Sequence, residues 1–283
     1  MIKKILLIIL FACFTQIGYA EEFSISIYPA KIIQGDPVLV QINNATKISD
    51  VKKITFENKK WDLFLYKGVV SALLPVDLNK KAGDYKITVG LKNGETLTNT
   101  LTVNKRDVVE EPLGIPEKLG GNTKQAQDKL VQTLAADKKK VTNLKTNKNT
   151  LWSKNFLMPL KDIYITSPYG YSRKTGEYSI PHKGTDYRAP DGTEVYAINR
   201  GVVRIAKSYR DYGKSIFIDH GQGLVSYYLH LSKYKVYEGQ VVERGQVIGL
   251  AGHTGYAIGA HLHLGIRIHD ITIDPEKFFE LFK

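Results

Sequence analysis

No stretch of this chain restricts its fold more than Ala260-His261-Leu262-His263-Leu264-Gly265. If it is extended, side-chain alternation sets His261 and His263 on one face, roughly 7 Å apart, and sends Leu262 and Leu264 into a core. One imidazole can then hold a metal ion while its neighbour works beside it. A second half-site lies upstream in Pro181-His182-Lys183-Gly184-Thr185-Asp186. A straight strand would hold His182 and Asp186 too far apart to converge, so this segment is expected to bend, with Gly184 permitting the bend. His182, Asp186 and His263 together offer two nitrogens and one oxygen, a donor set that zinc accepts, and they leave a fourth tetrahedral position for water. That set predicts a catalytic rather than a structural site, with one Zn2+ per chain.

At 283 residues the chain can build a full core and is expected to form two domains. Its formal net charge of +12 is spread along the sequence. There is no arginine-rich helix or basic-aromatic repeat, which speaks against nucleic acid and suits an anionic surface. Met1-Ile2-Lys3-Lys4, an apolar run from Ile5 into Phe14, and Gly18-Tyr19-Ala20 supply the three parts of a signal peptide, with cleavage expected after Ala20. The run is shorter than the roughly 20 residues a membrane span needs, so none is expected after cleavage, and the mature protein is expected to be periplasmic or secreted. Cys13 is the only cysteine. Phe11 stands where a lipoprotein signal prefers a small residue, so lipid attachment is disfavoured and the mature chain carries no thiol.

The pattern divides into a signal peptide over residues 1–20 and three further parts. Residues 21–105 read as short alternating runs (Phe23–Ile27, Val38–Ile42, Lys53–Phe56, Val69–Leu74, Tyr85–Val89, Thr96–Val103) broken by turns, which predicts an immunoglobulin-like β-sandwich with Trp61 in its core. Residues 106–154 form a linker followed by an amphipathic helix, where Ala126, Leu130 and Leu134 repeat at helical spacing as far as about Leu144. Residues 155–283 return to β, with runs such as Gly201–Ile205, Ser215–Asp219, Val225–Leu229 and His261–Ile268 and many glycine corners, implying coiled antiparallel sheets folded over an open groove. Asp274-Pro275 is expected to cap a short C-terminal helix. The fold class is therefore mainly β.

The seven histidines are not equivalent. His230 ends the run Tyr227-Tyr228-Leu229-His230-Leu231, where alternation is taken to aim it at the groove of His261. His220 reads as a turn residue, His253 as a groove-lining one and His269 as exposed. Four pieces, His182-x-x-x-Asp186, Tyr228-Leu229-His230-Leu231-Ser232, Gly249-Leu250-Ala251-Gly252-His253-Thr254-Gly255 and His261-Leu262-His263, occur in an order that resembles the lysostaphin-type (LytM) zinc metallopeptidases. The likeness runs from about Phe156 to Pro275 and includes Thr166–Gly170 and Ala189–Thr193. It implies His182, Asp186 and His263 as metal ligands, His230 and His261 as catalytic imidazoles, and peptide cross-links of bacterial peptidoglycan as substrate, with D-alanine–diaminopimelate the expected bond.

The chemistry of the residues agrees with that implication. An open zinc position acidifies its water and polarises a carbonyl, so amide hydrolysis needs only a base and an oxyanion stabiliser. His261 is expected to be the base and His230 to donate a hydrogen bond to the tetrahedral intermediate, with the two roles open to exchange or sharing. Both functions require neutral imidazole, so activity is expected to fall at mildly acidic pH. Some family members use a tyrosine in the loop before the first ligand, and here that loop offers Tyr171 and Tyr178 without a choice between them. Arg173 in the same loop is either a receptor for a substrate carboxylate or a surface residue. The competing reading is a non-catalytic LytM-like module that binds the wall or activates an amidase. Retention of all five active-site residues speaks against it.

Overall fold

The computed structural model describes residues 22–283, so the expected signal peptide and Cys13 lie outside the described residues. Two sheets between Ser24 and Asn104 share one core. The first runs, in spatial order, Ser24–Tyr28, Pro37–Asn43, Val69–Pro75 and Phe64–Tyr66; the second runs Ile32–Ile33, Thr96–Asn104, Gly83–Leu91, Val51–Phe56 and Lys59–Trp61. Alternation accounts for the packing: Val38, Val40, Ile42, Val70, Ala72 and Leu74 turn inward from one sheet, and Ile54, Phe56, Ile87, Val89, Leu101 and Val103 from the other. Trp61 is buried in the same core.

In the C-terminal region the larger sheet runs Ile165–Ser167, Thr185–Arg188, His261–Ile268, Leu224–Leu231, Gly213–Gly221, Gly201–Tyr209 and Val241–Val242, with Ile271–Ile273 also paired to His261–Ile268. A smaller sheet joins Glu194–Tyr196, Val247–Leu250 and Lys233–Tyr234. Leu262, Leu264, Ile266 and Ile268 are at most 2% exposed, which fixes the opposite face of their strand as the one carrying His261 and His263. Asp274 caps the Pro275–Leu281 helix by accepting from the amides of Glu276 and Lys277.

Residues between the two regions do more than connect them. Glu110–Pro112 forms a parallel strand beside Ser172–Thr175, which in turn pairs with Tyr178–Pro181. A Glu-Glu-Pro sequence has no β propensity, so only the main-chain groups of the neighbouring edge make this a strand. The helix that follows, Lys124–Val141, begins where Thr123 accepts from the Ala126 amide. It buries Ala126 and Leu130 with Ile115, against Ile180 and Tyr256, and its last residue, Val141, packs with Phe217, Tyr227 and Leu229. The helix ends at Val141, short of Leu144, because Thr142 is already extended.

The sandwich and the C-terminal region are packed together through one continuous core. Phe64 and Tyr66 meet Trp152, Tyr66 meets Phe282 at 5.3 Å between ring centroids, and Phe156 meets Phe278 at 4.7 Å. Beside this aromatic cluster, Arg106 holds Asp36 of the sandwich and Asp274 of the helix cap, each at 3.0 Å, with its plane over the Tyr169 ring. Burial pushes Asp36 up to about 6 against the pull of the guanidinium, so removing the cation would strand two buried carboxyls. Arg106→Ala is expected to cost about 3–5 kcal/mol in urea unfolding, the usual loss when one member of a buried ion network is removed.

His220 lies within the Gly213–Gly221 strand, not in a turn, and is fully buried. Its Nδ1 donates to the Arg200 carbonyl at 2.9 Å and its Nε2 lies 2.8 Å from Ser226 Oγ. Burial pushes its imidazole down to about 4. The unfolded chain takes up that proton near pH 6.5, whereas the folded protein refuses it until about pH 4. Stability is therefore full above that window and falls across it as pH drops, by roughly 3 kcal/mol from this residue. Thermal melts between pH 7 and 4 should show the loss, and His220→Gln should flatten it.

Candidate active site

The pairing of three strands assembles the site. Asp186 in Thr185–Arg188 stands opposite His263, and Leu229 in Leu224–Leu231 flanks His263 on the other side. His182 enters from the bend between Tyr178–Pro181 and Thr185–Arg188. The bend is tight: a Cβ on Gly184 would lie 2.4 Å from His263 Nε2 and 2.5 Å from the Leu264 carbonyl oxygen. Glycine is required there by close approach.

His182, Asp186 and His263 are buried and offer donor atoms to one point. His182 Nε2 is 3.1 Å from Asp186 Oδ1 and 3.0 Å from His263 Nδ1, and His263 Nδ1 is 2.8 Å from Asp186 Oδ1. Ligands at zinc bond lengths stand roughly 3.3 Å apart on a tetrahedron, so the three fit one ion after an outward shift of a few tenths of an ångström. His182 Nδ1 donates to the Pro168 carbonyl at 2.9 Å, which leaves its Nε2 lone pair for a metal. Burial opposes ionisation of Asp186, but the imidazoles of His182 and His263 outweigh it and hold the carboxyl well below its ordinary value. Burial pushes the His263 imidazole down to about 4. Asp186 is thus held as carboxylate and His263 as neutral imidazole, the forms that bind a metal.

His261 and His230 stand beside these donors, their rings 4.9 Å apart, with His230 6.0 Å from the His263 ring. His261 Nδ1 donates to the Gly259 carbonyl at 2.8 Å and His230 Nδ1 to the Thr254 carbonyl at 2.9 Å. Each proton is thereby fixed on Nδ1, and each Nε2 is an acceptor. The Nε2 of His261 is buried without a hydrogen-bond partner among the described residues, 3.7 Å from Asp186 Oδ2. Burial holds His230 well below the ordinary histidine value, so its ring is neutral at rest.

His230 reaches the site by a route its sequence pattern does not show. Residues paired across the sheet share a face, so Tyr227 and Leu229 lie with His263, and strict alternation would put His230 on the opposite side. A register shift between Lys214↔Leu231 and Ile216↔Tyr228 marks a bulge, and His230 has a left-handed backbone, φ 62°. The bulge turns its ring back into the groove. Alternation was thus the wrong reason for a residue that does face His261.

Residues 180–275 match the profile of Peptidase family M23. The peptidoglycan DD-endopeptidase ShyA of Vibrio cholerae is 48% identical over 97 residues, which make up 34% of this chain and 23% of that protein. The DD-carboxypeptidase/endopeptidase Mpg of Neisseria meningitidis is 38% identical over 118 residues, 41% of this chain and 27% of its own. The chain therefore spans about a quarter of the length of these curated relatives. A crystal structure of a Pseudomonas aeruginosa protein named as an M23 peptidase superposes with a TM-score of 0.59 and 26% identity, covering 88% of this chain and 95% of that one. This chain carries an M23 peptidase domain.

Several expectations for the M23 domain change in three dimensions. Tyr178 donates to Asp128 of the linker helix and Lys124 sits over its ring, so its hydroxyl is committed away from the donor cluster. Neither it nor Tyr171 lines the two cavities flanking the donor cluster, whereas Tyr256 lines both. Tyr256 was missed because its loop, Ser-free and flanked by glycine and alanine, has no period to read. Tyr227 was also missed: its ring stacks on Phe217 at 5.2 Å and faces His263 at 6.0 Å over Gly265, where no side chain intervenes. His253 is largely exposed, pairs with Asp191 at 3.3 Å and lines neither cavity. Arg173 is not a surface residue: its guanidinium reaches both His182 and Asp186.

Gly184→Ala should test the geometry without removing any donor. The added methyl must displace either the His263 ring or the backbone of its strand, at about 1–3 kcal/mol. Thermal unfolding should show a folded but weakened protein, and titration against a chromogenic chelator should show looser metal binding than the wild type.

Proposed function

We propose that this protein is a zinc-dependent peptidoglycan peptidase, exported from the cytoplasm, that hydrolyses stem-peptide cross-links between D-alanine and diaminopimelate. The observation that carries the reading is the arrangement of a buried His-Asp-His donor set beside two imidazoles whose Nε2 atoms both accept. Support for the substrate comes from the M23 match and from relatives named as peptidoglycan DD-endopeptidases.

His182, Asp186 and His263 would hold the metal, which when bound supplies an acidified water and a polarised carbonyl. His261 Nε2, buried and without a partner, is the base that takes the proton of the attacking water. The Gly259 carbonyl keeps its other nitrogen protonated and its ring oriented. His230 was expected to donate to the intermediate, but its Nε2 accepts at rest and can donate only once it has gained a proton. The proton that His261 takes from the water is therefore the one it returns to the leaving amine, while His230 can accept a hydrogen bond from the attacking water or the amine. The linker strand and helix border the cavities on either side of the ligands, so a peptide has to run between them.

Mature protein incubated with purified sacculi should release monomeric muropeptides, and chelation or His263→Ala should abolish release. His261→Ala should retain the metal yet lose about 10²- to 10⁴-fold in kcat, the usual contribution of a positioned base. Zinc-free protein that binds sacculi and yields no product would instead make it a wall-binding module.

A further inference from the structure

We propose that Arg173 is the receptor for a free carboxylate on the peptide substrate, a positioning residue that selects peptides whose acidic group lies one or two residues from the cleaved bond. The proposal rests on the peptidase reading above.

Arg173 lies in the Ser172–Thr175 strand and its side chain is only 15% exposed. Every hydrogen bond the guanidinium makes among the described residues comes from Nη2: to Ser167 Oγ at 3.4 Å, to His182 Nε2 at 2.9 Å and to Asp186 Oδ2. Nε and Nη1 have no protein partner among those residues, so the half of the fork that grips a carboxylate with two parallel bonds is free. Asp186 is its one ion-pair partner among the described residues. A largely buried guanidinium with a single, shared counter-charge gains much from a second anion.

Position points the same way. Two cavities, about 310 and 410 Å3, flank the donor cluster, and of the groove's charged residues Arg173 lines both. His182 and Asp186 are also the residues that would hold the metal. An ion there would take the His182 lone pair and part of the Asp186 charge, and the guanidinium would then find its second anion in the groove. Nη2 is 2.9 Å from a donor atom of the cluster, and an extended peptide advances about 3.5 Å per residue. An acid gripped by Arg173 therefore belongs to a residue adjoining the carbonyl under attack, or to the next one along. A C-terminal D-residue and the free α-carboxylate of diaminopimelate both satisfy this.

The test compares a stem-peptide substrate ending in a free carboxylate with its C-terminal amide, using full-length mature protein in wild-type, R173K and R173Q forms. Metal content and circular dichroism are recorded for each. The wild type should prefer the acid, and R173Q should erase the preference by raising KM for the acid about ten- to a hundredfold, the value of a charged hydrogen-bond pair, with a smaller change in kcat. R173K should recover part of the loss. Equal losses on acid and amide, or loss of bound zinc from R173Q, would make Arg173 a structural partner of Asp186 and overturn the proposal. If the wild type cleaves neither substrate, the peptidase reading fails by itself, and calorimetric titration of zinc-loaded protein with the acid peptide then decides: binding lost in R173Q upholds the receptor, and equal binding overturns it.

Discussion

The site depends on one cross-strand pairing, Asp186 opposite His263. Side chains directly opposite in an antiparallel pair stand about 5 Å apart at Cβ, close enough for a carboxylate and an imidazole to aim at one point. A slip of one residue would send His263 to the core face and Leu264 to the groove. The fully buried Leu262, Leu264, Ile266 and Ile268 forbid that slip, because it would expose four apolar side chains at once. The hydrophobic face of the strand thus sets the geometry of the donor atoms on the other face. His182 then needs only a bend at which no side chain interposes, and Gly184 supplies it.

Around this register the chain invests in orientation. Three imidazoles, His182, His230 and His261, each commit Nδ1 to a backbone carbonyl, from Pro168, Thr254 and Gly259 respectively. Those carbonyls choose the tautomer, so every Nε2 presents a lone pair to the same small volume. Gathering lone pairs in a buried place is unfavourable without a cation or proton to share, which is the condition a metal-assisted hydrolase exploits. The left-handed backbone at His230 belongs to the same economy of design, since local strain is tolerated where the surrounding sheet over-determines it.

The rest of the molecule is tied to the site by packing. A continuous aromatic core and the Arg106 clamp join the sandwich to the C-terminal region, while the linker strand and helix form walls of the groove. Glu111 of the linker strand accepts from Ser167 Oγ, which itself lies 3.4 Å from His182 Nδ1. The segment between the two regions is accordingly part of the surroundings of the donor cluster.

The sequence by itself determined the mainly β character, most strand positions, the three donors and the two imidazoles beside them. Hydrophobic alternation and metal-ligand chemistry are local properties, written into spacings of two to four residues. Only the tertiary structure decided the parallel linker strand, the bulge that re-aims His230, the commitment of Tyr178 to the linker helix, and the places of Tyr227, Tyr256 and Arg173 against the cluster. Each of these is fixed by a partner on another element or loop: a sheet edge, a helix, a donor of the cluster, or a ring lying over a glycine. Nothing in the spacing of a single stretch encodes such a partner, because the energy that selects it exists only once the two surfaces have met.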